Sequence, residues 1–206
     1  MAIDHLHGLV MRNILTGRSW EGSADQDELD YLAGVARKPG VKLIGEIGFN
    51  AGLSSHTFLE ANPDATVYSF DLGEHRYVRP AKEHIDEVFP GRHHLILGDS
   101  LKTVPAFHRE HPELRFDVIF VDGGHSYAVA KGDLMNMRRM AAPKAWLLTD
   151  DLTPWKRWGK GPTRAWSEAI EDGVVEQLEL YRDGRRVDEI KPPGDRSWAL
   201  GRYLQT

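Results

Sequence analysis

Five short apolar runs recur along the first three quarters of the chain. They are rich in Val, Ile, Leu and Phe, and each ends in glycine or in polar residues. The runs span residues 41–48, 66–72, 93–99, 116–122 and 145–151. Because the apolar positions are nearly continuous, the runs are typical of strands that are buried on both faces of a parallel sheet.

The stretches that flank these runs are predicted to be helices. The predicted helices cover residues 25–38, 54–61, 79–89, 100–110, 126–140 and 163–173. A chain that alternates strand and helix in this way builds βα units, whose crossovers leave the strands parallel and place helices on the faces of the sheet.

The C-terminal tail breaks the alternation. Residues 174–182 and 197–204 both resemble strands with no helix between them, so we expect them to pair antiparallel. Asp183-Gly184, just after the first of them, is a typical tight-turn pair. The whole pattern predicts a Rossmann-like three-layer α/β/α sandwich, in which a mostly parallel seven-stranded sheet ends in an antiparallel C-terminal strand pair.

Length and composition indicate one domain. The chain has 206 residues, enough for one sizeable core, and its content of 41% hydrophobic and 28% charged residues is a normal globular mix. We therefore predict a single domain over residues 1–206, with an N-terminal arm over 1–24 and a core over 25–206.

Charge and cysteine content exclude several functional classes. The net charge of -5, without a long basic run, argues against a nucleic-acid or membrane-surface partner. The lack of cysteine excludes disulfides, thiolate metal sites and cysteine nucleophiles. No segment approaches the length of a membrane span, and residues 1–15 lack a basic start followed by a long apolar stretch. We expect a cytoplasmic protein, and the sequence leaves open whether it forms a homo-oligomer.

Acidic residues cluster at the carboxyl ends of the predicted strands. These residues are Glu46, Asp71, Asp99, Asp122, Asp150 and Asp151. In open α/β sheets, ligands bind at the carboxyl ends of the strands. The coincidence is the main functional signal in the sequence.

The first of these acids belongs to a glycine-containing loop over residues 45–54. Its pattern, Glu-x-Gly-x-x-x-Gly-x-Ser, differs from the Gly-x-Gly-x-x-Gly spacing that a dinucleotide loop needs. A carboxylate at Glu46 repels phosphate and suits a cationic ligand, and Gly48 and Asn50 lie in the same loop. The alternative for Glu46 and Gly48 is a tight strand-to-helix turn with a solvated acid.

The next strand ends favour an adenosine ligand. Asp71 follows Gly52 by 19 residues, at a position where an acid can accept both hydroxyls of a ribose. The third strand ends at Asp99 and Ser100, from which a side chain can reach a nucleobase. An adenosine with no phosphate and a positively charged amino-acid tail fits all three positions. The sequence thus predicts S-adenosylmethionine as the cofactor.

Two segments carry a resemblance to a known family, the class I methyltransferases that use S-adenosylmethionine. Residues 121–134, VDGGHSYAVAKGDL, resemble the Asp-Gly-x-His-x-Tyr segment of bacterial methyltransferases that modify small molecules. Residues 147–152, LLTDDL, resemble the strand-end acid pair of metal-dependent enzymes of the catechol O-methyltransferase type. The resemblance extends from about Asp25 to the end of the chain.

The resemblance implies roles for individual residues. Glu46 and Ser54 would meet the methionine end of the cofactor, Asp71 its ribose and Ser100 its adenine. The rest of the implied cofactor site comprises Gly48, Asn50, Asp99 and Asp122. The implied magnesium ligands are Asp122, Asp150 and Asp151, and His125 stands where the family often has a lysine.

A divalent cation would also offset the repulsion between Asp150 and Asp151. Three carboxylates at neighbouring strand ends offer the oxygen ligands that Mg²⁺ and Ca²⁺ prefer. The alternative is that Asp150 caps the next turn and Asp151 is solvated. His125, just beyond Asp122, is the predicted general base, because an imidazole can take a proton near neutral pH. Its alternative is a structural histidine at a helix start.

Several functions remain open from the sequence. The leading hypothesis is a metal-assisted O-methyltransferase that acts on a small molecule with neighbouring oxygens, either a catechol or a sugar diol. The alternatives are a metal-independent N- or O-methyltransferase and a non-catalytic binder of adenosine nucleosides. Trp155 and Trp158 follow the acid pair and form either an aromatic wall for the acceptor or a subunit contact, and Trp20 either covers the cofactor or packs on a neighbour.

Overall fold

The computed structural model describes residues 2–15 and 24–204, which fold around one mixed sheet. Its strands are β1 (Leu43–Ile47), β2 (Thr66–Asp71), β3 (His93–Leu97), β4 (Phe116–Val121), β5 (Ala141–Thr149), β6 (Val175–Arg182), β7 (Arg185–Arg186) and β8 (Ser197–Tyr203). Its helices are α1 (Ala2–Leu15), α2 (Gln26–Ala36), α3 (Leu53–Ala61), α4 (Val78–Val88), α5 (Ser100–Glu110), α6 (Tyr127–Arg138) and α7 (Lys160–Glu171). All six predicted helices and all seven predicted strands are confirmed.

The strand order is β3-β2-β1-β4-β5-β8-β6-β7. The first five strands in this order are parallel, and β8, β6 and β7 each pair antiparallel with the preceding neighbour. The order therefore reverses between β1 and β4, which is the switch point where open α/β sheets leave a crevice for ligands.

The sheet has one strand more than the seven that the sequence predicts. β7 is a two-residue strand in which Arg185 pairs with Arg182 of β6. Asp183 and Gly184 both have positive φ, 49° and 73°, so they form the kind of two-residue turn that folds a chain straight back on itself. The turn was predicted, but two arginines carry no apolar pattern that would mark a strand.

Two apolar layers cover the two faces of the sheet. Side chains alternate along β4, so Val118 and Phe120 pack toward α1 to α4, whereas Ile119 and Val121 pack toward α5 to α7. Both layers are continuous from helix to strand, and the predicted three-layer sandwich is confirmed.

The register brings the strand ends level with one another. Ile47 pairs with Phe70 on one side and with Val121 on the other, and Val121 pairs with Thr149. The residues that follow these positions consequently lie side by side at one edge of the sheet. This edge carries the acids that the sequence singled out.

The predicted N-terminal arm contains α1, a helix that the sequence pattern did not reveal. Leu6 and Val10 of α1 are buried in the layer formed by α2, α3 and α4. His5 stacks on His84 of α4, with ring centroids 4.6 Å apart. None of the described helices has the length and apolarity needed to cross a membrane.

Candidate active site

A large cavity lies over the carboxyl ends of the parallel strands. Its volume is about 1180 Å³, whereas a pocket for one small ligand typically measures roughly 300–1,000 Å³. The cavity therefore has room for a nucleoside cofactor and a second small molecule. The predicted site residues that line it are Gly48, Asn50, Ser54, Asp71, Asp99, Ser100, Asp122, His125, Asp150 and Asp151.

The loop after β1 is shaped by Gly48. Its N–H donates to the carbonyl oxygen of Phe70 over 2.8 Å. Its φ is 94°, and a Cβ at this position would lie only 1.9 Å from the carbonyl oxygen of Asp122. Only glycine allows β1 to end against β4 at this distance. The loop is thereby held at the floor of the cavity.

Asp71, at the end of β2, is held by two backbone groups. The N–H of Asn50 donates to Oδ2 over 2.8 Å, and the N–H of Gly73 donates to Oδ1 over 2.7 Å. Each carboxylate oxygen can accept a further hydrogen bond. Asp71 thus presents a fixed carboxylate to the cavity, as the binding of two ribose hydroxyls requires.

The structure places Glu46 differently from the sequence-based expectation. Its side chain is fully buried and does not line the cavity, because alternation along β1 turns it toward α3. Its carboxylate accepts hydrogen bonds from the hydroxyls of Ser54, Ser55 and Ser69. Burial raises the pKa of Glu46, and these three hydroxyls partly oppose the shift. Glu46 therefore orients Ser54, which does line the cavity.

The end of β3 supplies Asp99 and Ser100. Asp99 caps α5 by accepting the N–H of Leu101 over 3.1 Å, and its Oδ2 lies 3.3 Å from Nζ of Lys102. Ser100 is the first residue of α5. Both residues border the part of the cavity that Asp71 also borders.

The opposite wall of the cavity is formed by Asp122, Asp150 and Asp151. Asp150 is only 3% exposed, and burial together with the charges of Asp151 and Asp122 raises its pKa well above the usual value. Burial, followed by the charges of Asp151 and Glu28, raises the pKa of Asp122 in the same direction. Asp151 has a φ of 61°, a left-handed conformation that aspartate tolerates.

Two basic side chains offset these acids. Nε2 of His125 lies 2.8 Å from Oδ2 of Asp151. Nη1 of Arg196 lies 3.9 Å from Oδ2 of Asp150 and also 3.9 Å from Oε2 of Glu28, a residue of α2 that is 3% exposed. Burial, followed by the charge of Asp150, raises the pKa of Glu28 well above its usual value. Sequence reasoning identified neither Glu28 nor Arg196.

The placement of the acids bears on the predicted metal site. Within residues 2–15 and 24–204, no three His, Cys, Asp or Glu side chains are placed so that they could hold one ion. One oxygen of Asp151 is taken by His125 and one oxygen of Asp150 faces Arg196. As they stand, the three carboxylates share the cavity but do not form a coordination site.

The loop after β5 brings two tryptophans to different places. Trp158 is 46% exposed and lines the cavity, and Nζ of Lys156 lies 5.2 Å from the centre of its ring. Nε1 of Trp155 donates instead to the carbonyl oxygen of Gly194 over 3.0 Å. This bond ties the loop to the segment that carries Arg196. Trp20 lies outside the described residues.

Comparison with known proteins agrees with this geometry. A family model described as a methyltransferase domain matches residues 46–152, from the end of β1 to just beyond β5. No curated protein matches the chain significantly in sequence.

Several solved structures share the fold over most of their length. An O-methyltransferase from Bacillus cereus, solved with SAH, gives a TM-score of 0.74 at 14% identity, over 97% of this chain and 90% of that chain. TomG from Streptomyces achromogenes, an O-methyltransferase in tomaymycin synthesis solved with SAM, gives 0.75 at 16% identity, over 97% and 89%. CalS11, a TDP-rhamnose 3'-O-methyltransferase of calicheamicin biosynthesis, gives 0.64 at 18% identity, over 96% and 92%.

Proposed function

The chain belongs to the family of methyltransferase domains, and on this premise we propose that it transfers the methyl group of S-adenosylmethionine to a hydroxyl oxygen of a small molecule. The observation that carries the proposal is the pair formed by His125 and Asp151, 2.8 Å apart at the wall of the cavity. A histidine held by a carboxylate is a typical general base for a hydroxyl group.

The cofactor is proposed to occupy the side of the cavity next to β1, β2 and β3. Asp71 accepts hydrogen bonds from the ribose, and Asp99 and Ser100 border the adenine. Gly48, Asn50 and Ser54 border the methionine end, with Asp122 beyond them. Acidic residues dominate this part of the wall, which suits a cofactor that carries a sulfonium and an ammonium group. Two of the structures with the same fold were solved with SAM or SAH.

Methyl transfer requires the acceptor hydroxyl to lose its proton. When bound, the cofactor supplies a methyl group, and its sulfur keeps the electron pair of the bond that breaks. Nδ1 of His125 is the candidate proton acceptor, because Nε2 faces Oδ2 of Asp151. Asp151 orients the imidazole and stabilises its protonated form, as a carboxylate partner does for a histidine base. The proton thus ends on His125 as the oxygen–carbon bond forms.

The acceptor is proposed to be a catechol or a sugar diol. Trp158 offers an exposed ring at the cavity wall for stacking. Glu28 and Asp150 line the same cavity and offer carboxyl groups to neighbouring hydroxyls. Hydrogen-bond acceptors outnumber donors among the side chains that line the cavity, which suits a substrate with several hydroxyl groups. We propose that the protein acts in the cytoplasm and that neither nucleic acid nor a membrane is its partner.

The proposed methyl transfer could be metal-dependent or metal-independent, and the two versions differ in what the acids at the cavity wall do. The sequence predicts Mg²⁺ or another divalent cation at Asp122, Asp150 and Asp151, but the placement of these residues does not fit an ion. His125 and Arg196 supply positive charge to the same acids. This observation favours the metal-independent version, and no step of the mechanism is derived through a metal.

Transfer of labelled methyl groups tests the function. We expect label from S-adenosylmethionine to appear in at least one member of a panel of catechols, phenols and glycosides. Exhaustive treatment with a chelator should leave the rate nearly unchanged in the metal-independent version. A rate that vanishes with chelator and returns with Mg²⁺ would restore the sequence-based prediction. Label transfer to no member of the panel would contradict the proposed acceptor class.

A further inference from the structure

We propose that Asp133 holds one buried water molecule beneath the turn formed by Gly123, Gly124 and His125, and that it thereby acts as a positioning residue for His125. The water is the ligand of a small cavity that shares part of its wall with the large one. The role assigned to Asp133 rests on the proposed role of His125, whereas the water site does not.

Asp133 is a buried acid that the proposed mechanism does not use. It lies on α6 and has no solvent-exposed surface. Neither of its carboxyl oxygens has a hydrogen-bond partner of normal geometry among the described residues, although the hydroxyl of Ser100 is near enough to oppose in part the effect of burial on the pKa of Asp133. A buried carboxyl group without a partner is costly, and such groups are commonly satisfied by ordered water.

A small cavity lies directly against this carboxyl group. Its lining includes Asp133, Gly123, Gly124, His125 and Thr149. The cavity measures about 10 Å³, at the lower limit of the roughly 10–15 Å³ that one water requires. The lining also contains apolar residues (Val121, Ala130, Leu134 and Pro162), but Asp133, Thr149 and the backbone of residues 123–125 offer polar partners, so a water there can make the two to four hydrogen bonds that keep a buried water in place.

The turn above the cavity is fitted closely to α6. A Cβ on Gly123 would lie 3.2 Å from Oδ2 of Asp133, and one on Gly124 would lie 2.8 Å from Cγ1 of Val129. A side chain at Gly123 would be crowded first by Cγ2 of Ile47, at 2.7 Å, and then by the acid, so the backbone lies close to Asp133. A water between Asp133 and this backbone would fix the turn and, with it, the start of the His125 side chain.

Water fits this site better than a metal ion does. No three acids or histidines of the described residues are placed to hold a metal. The free space accommodates one water molecule, and the carboxylate of Asp133 can accept a hydrogen bond from it. The site would keep the backbone of His125, whose side chain is 38% exposed, aligned with Asp151.

A crystal structure of the full chain at high resolution tests the water site directly. We expect a well-ordered water within hydrogen-bonding distance of Asp133 and of the 123–125 turn. Asp133→Asn should keep the water, because an amide can still bond to it, and Asp133→Leu should expel it. An empty cavity in the wild-type protein, or a protein group bonded to Asp133 in its place, would overturn the proposal.

The positioning role has a separate readout. We expect the ¹⁵N signals of the His125 imidazole, assigned with His125→Gln, to shift in Asp133→Leu and to stay near the wild type in Asp133→Asn. Methyl transfer in Asp133→Leu should slow by on the order of 10- to 100-fold with unchanged cofactor affinity, since misplaced groups cost rate and not binding. Met137→Leu, a buried change one turn along α6, is the control.

The outcomes distinguish the two levels of the proposal. Unchanged His125 signals in Asp133→Leu would refute the positioning role, but a water observed beside Asp133 in the wild type would still support the water site. If His125→Ala itself retained full activity, the proposed role of His125 as the base would fail, yet the crystallographic result for the water would stand. Label transfer to no acceptor by the wild type would instead count against the proposed function.

Discussion

At the scale of single residues, His125 carries the proposed chemistry. His125→Ala should lower kcat by about 10²–10⁴ and leave cofactor affinity nearly unchanged, because the imidazole acts on the acceptor and not on the cofactor. The rate of the wild type should fall toward acid pH, since a protonated imidazole cannot accept a proton, and the variant should lack this decline.

Steady-state kinetics and calorimetry on the same preparations provide the measurement. His94→Ala is a suitable control, because His94 is an exposed residue of β3 that does not line the cavity. A loss below about tenfold, with the acid decline still present, would assign His125 a structural role.

The raised pKa of Asp133 predicts how the stability of the protein changes with pH. Burial raises the pKa of Asp133 to about 6, so the folded protein binds this proton more tightly than the unfolded chain does. The free energy of unfolding should therefore decrease as pH rises from about 4 to about 6, by up to roughly 3 kcal/mol. Asp133→Asn should remove this contribution to the pH dependence, leave that of the other buried acids, and raise stability near pH 8.

Urea denaturation at several pH values measures the effect. Because Asp133 is almost fully enclosed, solvent screening should not reduce this decrease in the free energy of unfolding. Met137→Leu, which leaves the acid in place, should retain the wild-type pH slope. An identical slope in Asp133→Asn and in the wild type would show that Asp133 does not titrate in this range.

Sequence reasoning succeeded for residues whose role follows from chain position alone. Gly48 and Asp71 end strands, so the parallel topology brought them to the cavity. Glu46 also lies at a strand end, but the alternation of side chains along β1 buries it under α3. Its three serine partners come from two elements, Ser54 and Ser55 from α3 and Ser69 from β2, and no local sequence pattern predicts such a cluster.

At the scale of elements, Arg196 connects three parts of the chain. It lies just before β8 and faces Glu28 of α2 and Asp150 after β5. Burial lowers the pKa of Arg196, but the surrounding acids outweigh burial and the net shift is upward. Arg196 therefore remains charged and holds α2 against the end of the sheet.

Arg196→Met should destabilise the fold by up to roughly 3–5 kcal/mol, because it leaves Glu28 and Asp150 buried without their cation. Chemical denaturation at neutral pH gives the value. The double variant with Glu28→Gln should recover part of the loss, because one of the two acids is then neutral. A loss below about 1 kcal/mol would mean that the contacts at 3.9 Å contribute little to stability.

Elements differ in how far their sequences reveal them. The helices and the longer strands have enough apolar periodicity to be predicted within a few residues. The sequence pattern did not predict α1 or β7, for different reasons. The apolar positions of α1 follow a mixed pattern, and its core contacts are made with helices distant in sequence. β7 forms only because the turn before it folds the chain back on β6. Arg196 and Glu28 meet only after the whole sheet has formed.

At the scale of the whole molecule, the predicted class I methyltransferase is confirmed by the family match and by the fold. The hydrophobic runs predict the βα architecture and the strand-end acids predict the cofactor, whereas the family itself was predicted from the resemblance of residues 121–134 and 147–152. The identity of the methyl acceptor cannot be predicted in the same way. Class I folds host many substrates, and the acceptor side is built by loops and by long-range pairs such as Glu28 and Arg196, which sequence patterns do not encode.

The central claim is that the cavity binds S-adenosylmethionine through the β1 loop and Asp71. Calorimetric titration of the cofactor into wild type and Asp71→Ala tests it most directly. We predict one site per chain, with binding weakened in the variant by roughly 2–3 kcal/mol, because two charge-assisted hydrogen bonds to the ribose are lost. Equal affinities in the wild type and a folded Asp71→Ala protein, or no binding to the wild type, would contradict the account.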